Sequence, residues 1–413
     1  MSGRSVYVAN AGTHPEPNAL AASFAAHGEL RGLFTASMWP SQSVIGALSR
    51  RLPGSLAGSL ISQRILPAGI GRRETTNVAG AREAAFQVAL RLSPSWAPRV
   101  LSWRNSAFHG RVARSIAATT GDRPVVVAQS TSALGAFRAA PPDAVRVLMY
   151  PLPEHRWMND YLDVEARENP EWAVALQGHR PSPERLRLLD EEIERSDILI
   201  VPSTFAASTF DAELHSPIVS PLGVSPEYLR DTPAHRLRAS SGLNLLFVGQ
   251  VNQRKGISYL LDAFDETRRP GDQLRIAGRV PSSIAGRLEG RPGVSLLGVL
   301  SRSDLRSAME MSDALVLPTL ADGFGLVILE AMASGLPAIV STHSAAADIV
   351  DHRSNGWIVR PRSTSDLSEA FRHFQENPEM TQAMADRARV DAIQHTWERY
   401  GSKTRKLLTE RLA

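Results

Sequence analysis

The sequence predicts an α/β protein made of two doubly wound parallel sheets. Three observations predict it. Short apolar, β-branched runs recur along all 413 residues, with segments of helical period between them. Each run is bounded by Gly, Pro or Ser and lacks polar alternation, the pattern of parallel strands covered on both faces. The chain is longer than one compact domain usually holds. Between about His215 and Leu243, Pro, Ser, Gly and Arg accumulate without a long apolar period, which marks a hinge between halves.

Taken in order, the first half offers strands over 6–8, 125–127, 145–148 and 198–201, with a helix over 18–27 after the first. The second half offers strands over 245–248, 274–276, 294–297, 315–317 and 338–340. Residues 396–412 read as an amphipathic helix carrying two of the three lysines in the chain. The expected division is an N-terminal domain over 1–220, a linker over 221–242, a C-terminal domain over 243–392 and a final helical segment over 393–413.

Composition narrows the class. Apolar residues make up 43% and charged residues 21%, a globular balance with no apolar run long enough to span a bilayer. Residues 1–4 run straight into the first strand without the apolar core of a signal peptide, so the expected location is the cytoplasm. With no cysteine, disulfides, thiolate metal sites and cysteine nucleophiles are excluded together. The net charge of +4 hides an asymmetry: residues 1–150 hold sixteen Arg, no Lys and six acidic residues. That basic half suits an anionic membrane, a phosphorylated substrate or nucleic acid. No aromatic-interleaved basic run or recognised nucleic-acid module is present, so nucleic acid ranks last. Residues 46–74 mix Gly, Ser, Leu and Ile with Arg at 50, 51, 64, 72 and 73. They read either as a basic amphipathic segment facing a membrane or acceptor, or as a surface loop with a short helix.

Several chemistries find no motif. There is no G-x-x-x-x-G-K-[ST] loop, no G-x-G-x-x-G after the first strand, no H-E-x-x-H, no G-x-S-x-G and no D-x-D. The eleven histidines lack metal-ligand spacing, so no metal and no bound cofactor are expected.

The sharpest stretch runs from Asp322 through Gly323, Phe324, Gly325, Leu326 and Glu330 to Pro337, directly after a strand. The glycines permit a tight turn and close backbone approach. A helix starting near Gly325 and stopping at Gly335 presents an N-terminus suited to anions. Glu330 lies on that apolar helix with no Lys or Arg three or four residues away. A carboxylate buried there needs a partner. A pair of ligand hydroxyls supplies one; a neighbouring backbone group or a distant arginine is the alternative. The second stretch, Gly249, Gln250, Arg254, Lys255 and Gly256, also follows a strand and precedes a helix near Ile257. In a chain of 43 Arg and three Lys, Lys255 is a compact point charge placed where a phosphate meets a helix N-terminus. A surface lysine in a polar turn is the plainer alternative.

Together these stretches resemble the C-terminal domain of retaining GT-B glycosyltransferases of the large family-four type, the group 1 glycosyl transferases. The resemblance covers about 243–400 and rests on an ordered set. Its parts are Gly249-x5-Lys255-Gly256, Ala277-Gly278, 294–298, Asp322-Gly-Phe-Gly-x4-Glu330, 331–337, Ser341-Thr342 and Asn355-Gly356. It implies two Rossmann-like domains facing across a cleft. It implies that Lys255, with Arg254, Gly249 and Gln250, binds the diphosphate of a nucleotide sugar, and that Glu330 holds the ribose hydroxyls. Asp322, Gly323, Phe324, Gly325 and Leu326 then hold the donor sugar or its phosphate. The family commonly has Glu at the position of Asp322 and Arg at that of Gln250, which puts donor choice or catalytic strength in question.

In the N-terminal half, His155 follows a strand where similar enzymes place a functional histidine beside the transferred sugar. Its alternative is to cap a helix or order a loop. Gly12, His14 and His109 are weaker acceptor-side candidates. The implied reaction moves a sugar from a UDP- or GDP-linked donor to a hydroxyl of a glycan, glycolipid or polyprenyl-linked acceptor. It keeps the anomeric configuration and needs no metal, with peripheral association at the inner membrane face through the basic half. The rival reading is a nucleotide-sugar-binding partner protein with weak or no transfer.

Overall fold

The computed structural model describes residues 4–41, 43, 64–92, 96–118, 123–176, 179–229 and 242–413. Seven strands form the first sheet: β1 (Val6–Asn10), β2 (Leu30–Thr35), β3 (Thr75–Asn77), β4 (Val125–Gln129), β5 (Val145–Met149), β6 (Ile198–Val201) and β7 (Ile218–Val219). Their order is β3-β2-β1-β4-β5-β6-β7. Six strands form the second: β8 (Asn244–Val248), β9 (Gln273–Ala277), β10 (Val294–Gly298), β11 (Ala314–Leu317), β12 (Ala338–Ser341) and β13 (Gly356–Val359). Their order is β10-β9-β8-β11-β12-β13. All pairings are parallel.

The apolar runs explain the strands. Val125, Val126, Val127, Leu245, Leu246, Phe247, Leu315, Val316 and Leu317 are all fully buried, as strands with helices on both faces must be. Four strands escape the sequence pattern. β2 is interrupted by Arg31 and Gly32, β13 opens on Gly356 and Trp357, and β3 and β7 are only three and two residues long.

In each sheet the order of strand addition reverses at one place, between β1 and β4 in the first and between β8 and β11 in the second. In doubly wound sheets, ligands bind in the crevice outside the strand ends at such a reversal. The loops that leave β8 and β11, 249–256 and 318–325, therefore meet at the crevice of the second sheet.

The C-terminal helix Trp397–Arg411 returns to the first sheet's side and packs on helix Pro15–Ala26. A Cβ on Gly401 would meet the Ala19 carbonyl oxygen at 2.3 Å, so glycine lets the two helices touch. Ser220 Oγ and Thr404 Oγ1 lie 2.6 Å apart, and Val224 N–H donates to the His395 carbonyl at 2.8 Å. Of the expected linker, 230–241 lies outside the described residues.

Residues 44–63, most of the Arg-bearing stretch singled out above, also lie outside them. At its edge Arg64 does not offer its charge to an outside surface. It donates to Glu83 Oε1 at 2.6 Å and to the Ser37 carbonyl at 3.0 Å. Among the described residues no helix is long and apolar enough to cross a membrane, and no group of three or more His, Asp or Glu could hold a metal ion.

Candidate functional site

The loop after β8 is built to fix Lys255. Asn252 has an extended backbone, and its side-chain oxygen accepts from Lys255 N–H at 3.1 Å, starting the short turn Gln253–Lys255. Gly256 closes the turn with φ of +73°. A Cβ there would meet the Pro318 carbonyl oxygen at 2.0 Å, so both the conformation and the space demand glycine. Helix Ile257–Thr267 starts at that point. Pro318 belongs to the loop after β11, so Gly256 is where the two loops touch.

Arg254 binds the loops further. Its guanidinium donates to the Ala321 carbonyl at 2.6 Å, and its own carbonyl accepts from Leu320 N–H and the Thr319 hydroxyl. The Lys255 ammonium is consequently held against the Asp322 carboxylate as an ion pair, both side chains about 14% exposed or less. Burial pushes the Asp322 carboxyl upward, but Lys255 and Arg254 outweigh it and hold it below the ordinary carboxylate value.

After Asp322 the chain turns through Gly323 and Gly325. Gly325 has φ of +83° and opens helix Leu326–Ala333. Gly323 is pinned from the other domain. Its carbonyl accepts from Ser203 Oγ at 2.6 Å, and a Cβ on it would meet the Pro151 carbonyl oxygen at 1.8 Å. The Phe324 side chain is buried in the core, so only its backbone borders the turn.

Glu330 sits on that same helix and is half-buried rather than enclosed. Burial nevertheless pushes its carboxyl up to about 7, against the pull of Arg302 and with the push of Glu227. Gln250 is exposed and lines a cavity of about 260 Å³ with Leu176, Asn252 and Arg279.

The histidines separate. His155 is 4% exposed and begins helix His155–Glu168. Its Nδ1 lies 2.8 Å from Glu154 Oε1 and 3.1 Å from the Tyr150 hydroxyl, and its Nε2 lies 2.9 Å from Asp190 Oδ1. Both ring nitrogens have partners within its own domain, and the loop before it abuts Gly323 through Pro151. His14 is exposed and precedes helix Pro15–Ala26, with its ring against Gly12 at the end of β1. His109 is elsewhere, packed against Gly135, with its Nε2 buried and unpartnered.

One carboxylate that sequence reasoning missed ties the two domains. Glu165 is fully buried. It accepts from Gln253 Nε2 at 2.6 Å, Arg362 Nε at 2.8 Å, Asn169 Nδ2 at 3.0 Å and the Tyr259 hydroxyl at 3.1 Å. Gln253 lies in the turn that carries Lys255. Beside this node, His343 stacks on Phe205 and meets Trp157 and Tyr161 edge-on. In the sequence Glu165 stands among Asp163, Arg167 and Glu168, which reads as a solvated helix face.

Comparison with known proteins finds similarity to glycosyltransferases. Residues 235–391 match the family described as glycosyl transferases group 1. The alpha-D-kanosaminyltransferase of Streptomyces kanamyceticus is 30% identical over 171 residues, which cover 38% of this chain and 44% of that protein. The aligned region thus spans less than half of that relative's length. The D-inositol 3-phosphate glycosyltransferase of Pseudarthrobacter chlorophenolicus is 24% identical over 295 residues, 60% of this chain and 68% of the relative. Among solved structures, sucrose-phosphate synthase of Thermosynechococcus elongatus superposes with a TM-score of 0.62 at 18% identity, covering 99% of each chain. HepE of Anabaena in complex with UDP does so at 0.59 and 16%, over 98% of this chain and 100% of that one. These likenesses show the fold, two Rossmann-like domains of the GT-B type.

Proposed function

We propose that this chain, whose residues 235–391 belong to the group 1 glycosyl transferases, transfers a sugar from a nucleoside-diphosphate sugar to an acceptor hydroxyl with retention of configuration. The observation that carries the proposal is the Lys255–Asp322 pair, held between two helix N-termini at the reversal of the second sheet.

In this reading the donor diphosphate displaces Asp322 from the Lys255 ammonium. It is then met by that ammonium, by Arg254 and by the positive ends of the two helix dipoles. Those groups lie where negative charge grows as the sugar–phosphate bond breaks, so they favour the transition state over the ground state. The freed Asp322 carboxylate accepts from a sugar hydroxyl, and Glu330 accepts from the ribose hydroxyls. The charge on the leaving group is met by protein cations, so no metal is assigned to the step. The acceptor hydroxyl attacks on the face that the diphosphate leaves and passes its proton to a leaving phosphate oxygen. The N-terminal domain holds the acceptor, a glycan, glycolipid or polyprenyl-linked molecule, with Gly12 and His14 at the end of β1 facing it.

A second reading is nucleotide-sugar binding without transfer. The neutral Gln250 at the mouth of the loop favours it, together with Asp322 standing where the family commonly has Glu.

Thermal melting with UDP, GDP and ADP tests the site. A ligand at about a hundred times its dissociation constant stabilises the native state by roughly 2.7 kcal/mol. The expected result is a rise in melting temperature with one nucleotide, unchanged by EDTA and lost in Lys255→Ala and Glu330→Ala. No rise with any nucleotide at millimolar concentration overturns the donor site. A rise without sugar transfer to any acceptor tried favours the second reading.

A further inference from the structure

One helix pair of the N-terminal half, Gly80–Leu92 and Ala97–Ala117, is strongly basic. Between Glu83 and Asp122 the sequence has five Arg and no acidic residue. Glu83 itself is buried and neutralised by Arg64 at 2.6 Å and Arg104 at 2.7 Å, so it contributes no negative charge outside.

The second helix is sharply two-sided. Arg104, Phe108, Val112 and Ile116 recur every fourth residue on its inner side and are buried. Its outer side presents Arg99, Trp103, Arg111 and Arg114, with Trp96 just before its first turn, all exposed. Trp96 and Trp103 are 59% and 51% exposed, large apolar areas to leave in water. Each indole carries a guanidinium on its face: Arg99 lies 5.4 Å from the Trp96 ring centroid and Arg82 4.4 Å from that of Trp103.

We infer that the outer face of this helix pair is a docking surface for an anionic lipid bilayer. Two features select lipid over other polyanions. Exposed indoles are at home at the membrane interface, where the ring meets acyl chains and the N–H meets headgroups. Arginine stems lie along apolar surface while their charges reach lipid phosphates. A nucleic-acid duplex offers phosphates but no apolar layer for the two indoles. The surface lies on the domain assigned above to the acceptor, so a lipid-borne acceptor would reach the cleft from the bilayer. The inference itself needs no donor site and stands on the helix pair alone.

The test is cosedimentation of the full chain with phosphatidylcholine vesicles, with and without phosphatidylglycerol, at low and high salt. Two variants accompany it, Arg111→Ala/Arg114→Ala and Trp96→Ser/Trp103→Ser. All four side chains are exposed, so both variants are expected to melt with the wild type and keep its nucleotide response. The expected result is binding only with phosphatidylglycerol, weakened by salt and about tenfold or more weaker in the arginine variant. The tryptophan variant binds less tightly and loses the fluorescence blue shift that accompanies insertion. Absence of binding to phosphatidylglycerol vesicles overturns the inference, as does binding unchanged in both variants. Equal affinity for a DNA duplex, with the tryptophan variant unaffected, overturns the choice of lipid.

Discussion

Glu330 shows how a single side chain carries both a cost and a use. Its carboxyl rises from an ordinary value of 4.5 to about 7 because burial removes water from the charged form, and Glu227 adds repulsion against the pull of Arg302. A carboxyl raised on folding binds its proton more tightly in the native state. Its favourable contribution is therefore present below pH 4.5 and is lost as pH climbs from 4.5 through about 7. Glu330→Gln is expected to remove that slope. Melted across this window, the variant should match the wild type at the acid end and exceed it by roughly 1–3 kcal/mol at pH 8. It should at the same time lose nucleotide stabilisation. Equal pH profiles for the two proteins would remove Glu330 from the account. The sequence made Glu330 legible through its apolar helix; its partial exposure and the repulsion from Glu227, on a turn a hundred residues away, were visible only in three dimensions.

At the scale of elements, the site is two loops leaving adjacent strands. β8 and β11 are neighbours although β9 and β10 intervene in sequence, which brings the turn holding Lys255 against the turn holding Asp322. Gly256 and Gly323 set how closely the pieces approach. Gly323 is the more informative, because its clash is with Pro151 of the other domain. Gly323→Ala is expected to leave each sheet intact and force the Pro151 loop away, at a cost of roughly 1–3 kcal/mol. The readout is nucleotide response against transfer: binding by the second domain should persist while transfer falls steeply. An alanine variant with full transfer would show that the Pro151 contact is not required. The glycines stood out in the sequence as turn formers, but nothing local says that one serves a turn within its domain and the other a contact between domains.

At the scale of the molecule, the cleft is held by a few polar nodes and a returning helix. Glu165 joins helix His155–Glu168 to Gln253, Tyr259 and Arg362. Ser203 and Thr204 reach Gly323 and Asp348. Removing one member of a buried charged pair leaves the other uncompensated, typically about 3–5 kcal/mol. Glu165→Gln is therefore expected to weaken the coupling of the two domains more than either domain itself. Calorimetry should resolve one unfolding transition into two, and hydrogen exchange should rise in 155–168 and in 253–259. A single transition at the wild-type temperature would assign the domain coupling to the aromatic contacts of His343 instead.

Some of this was fixed by local chemistry. Strand runs, glycine turns, helix starts and the ordered spacing from Gly249 to Pro337 are properties of neighbouring residues, and hydrophobic period and backbone freedom act over a few residues at a time. They determined the α/β class, the two sheets and the loops that leave β8 and β11. Which strands lie side by side, and therefore that Lys255 meets Asp322 and Glu165 meets Arg362, depended on how the sheets wind and how the domains face each other. His155 makes the same point in reverse. Its place after β5 suggested either a histidine near the transferred sugar or one that orders a loop, and the fold brought Asp190 from 35 residues away to its second nitrogen. Partners separated so far along the chain share no local signal, so only the tertiary structure decided whether a titratable group was left open to a ligand or already bound.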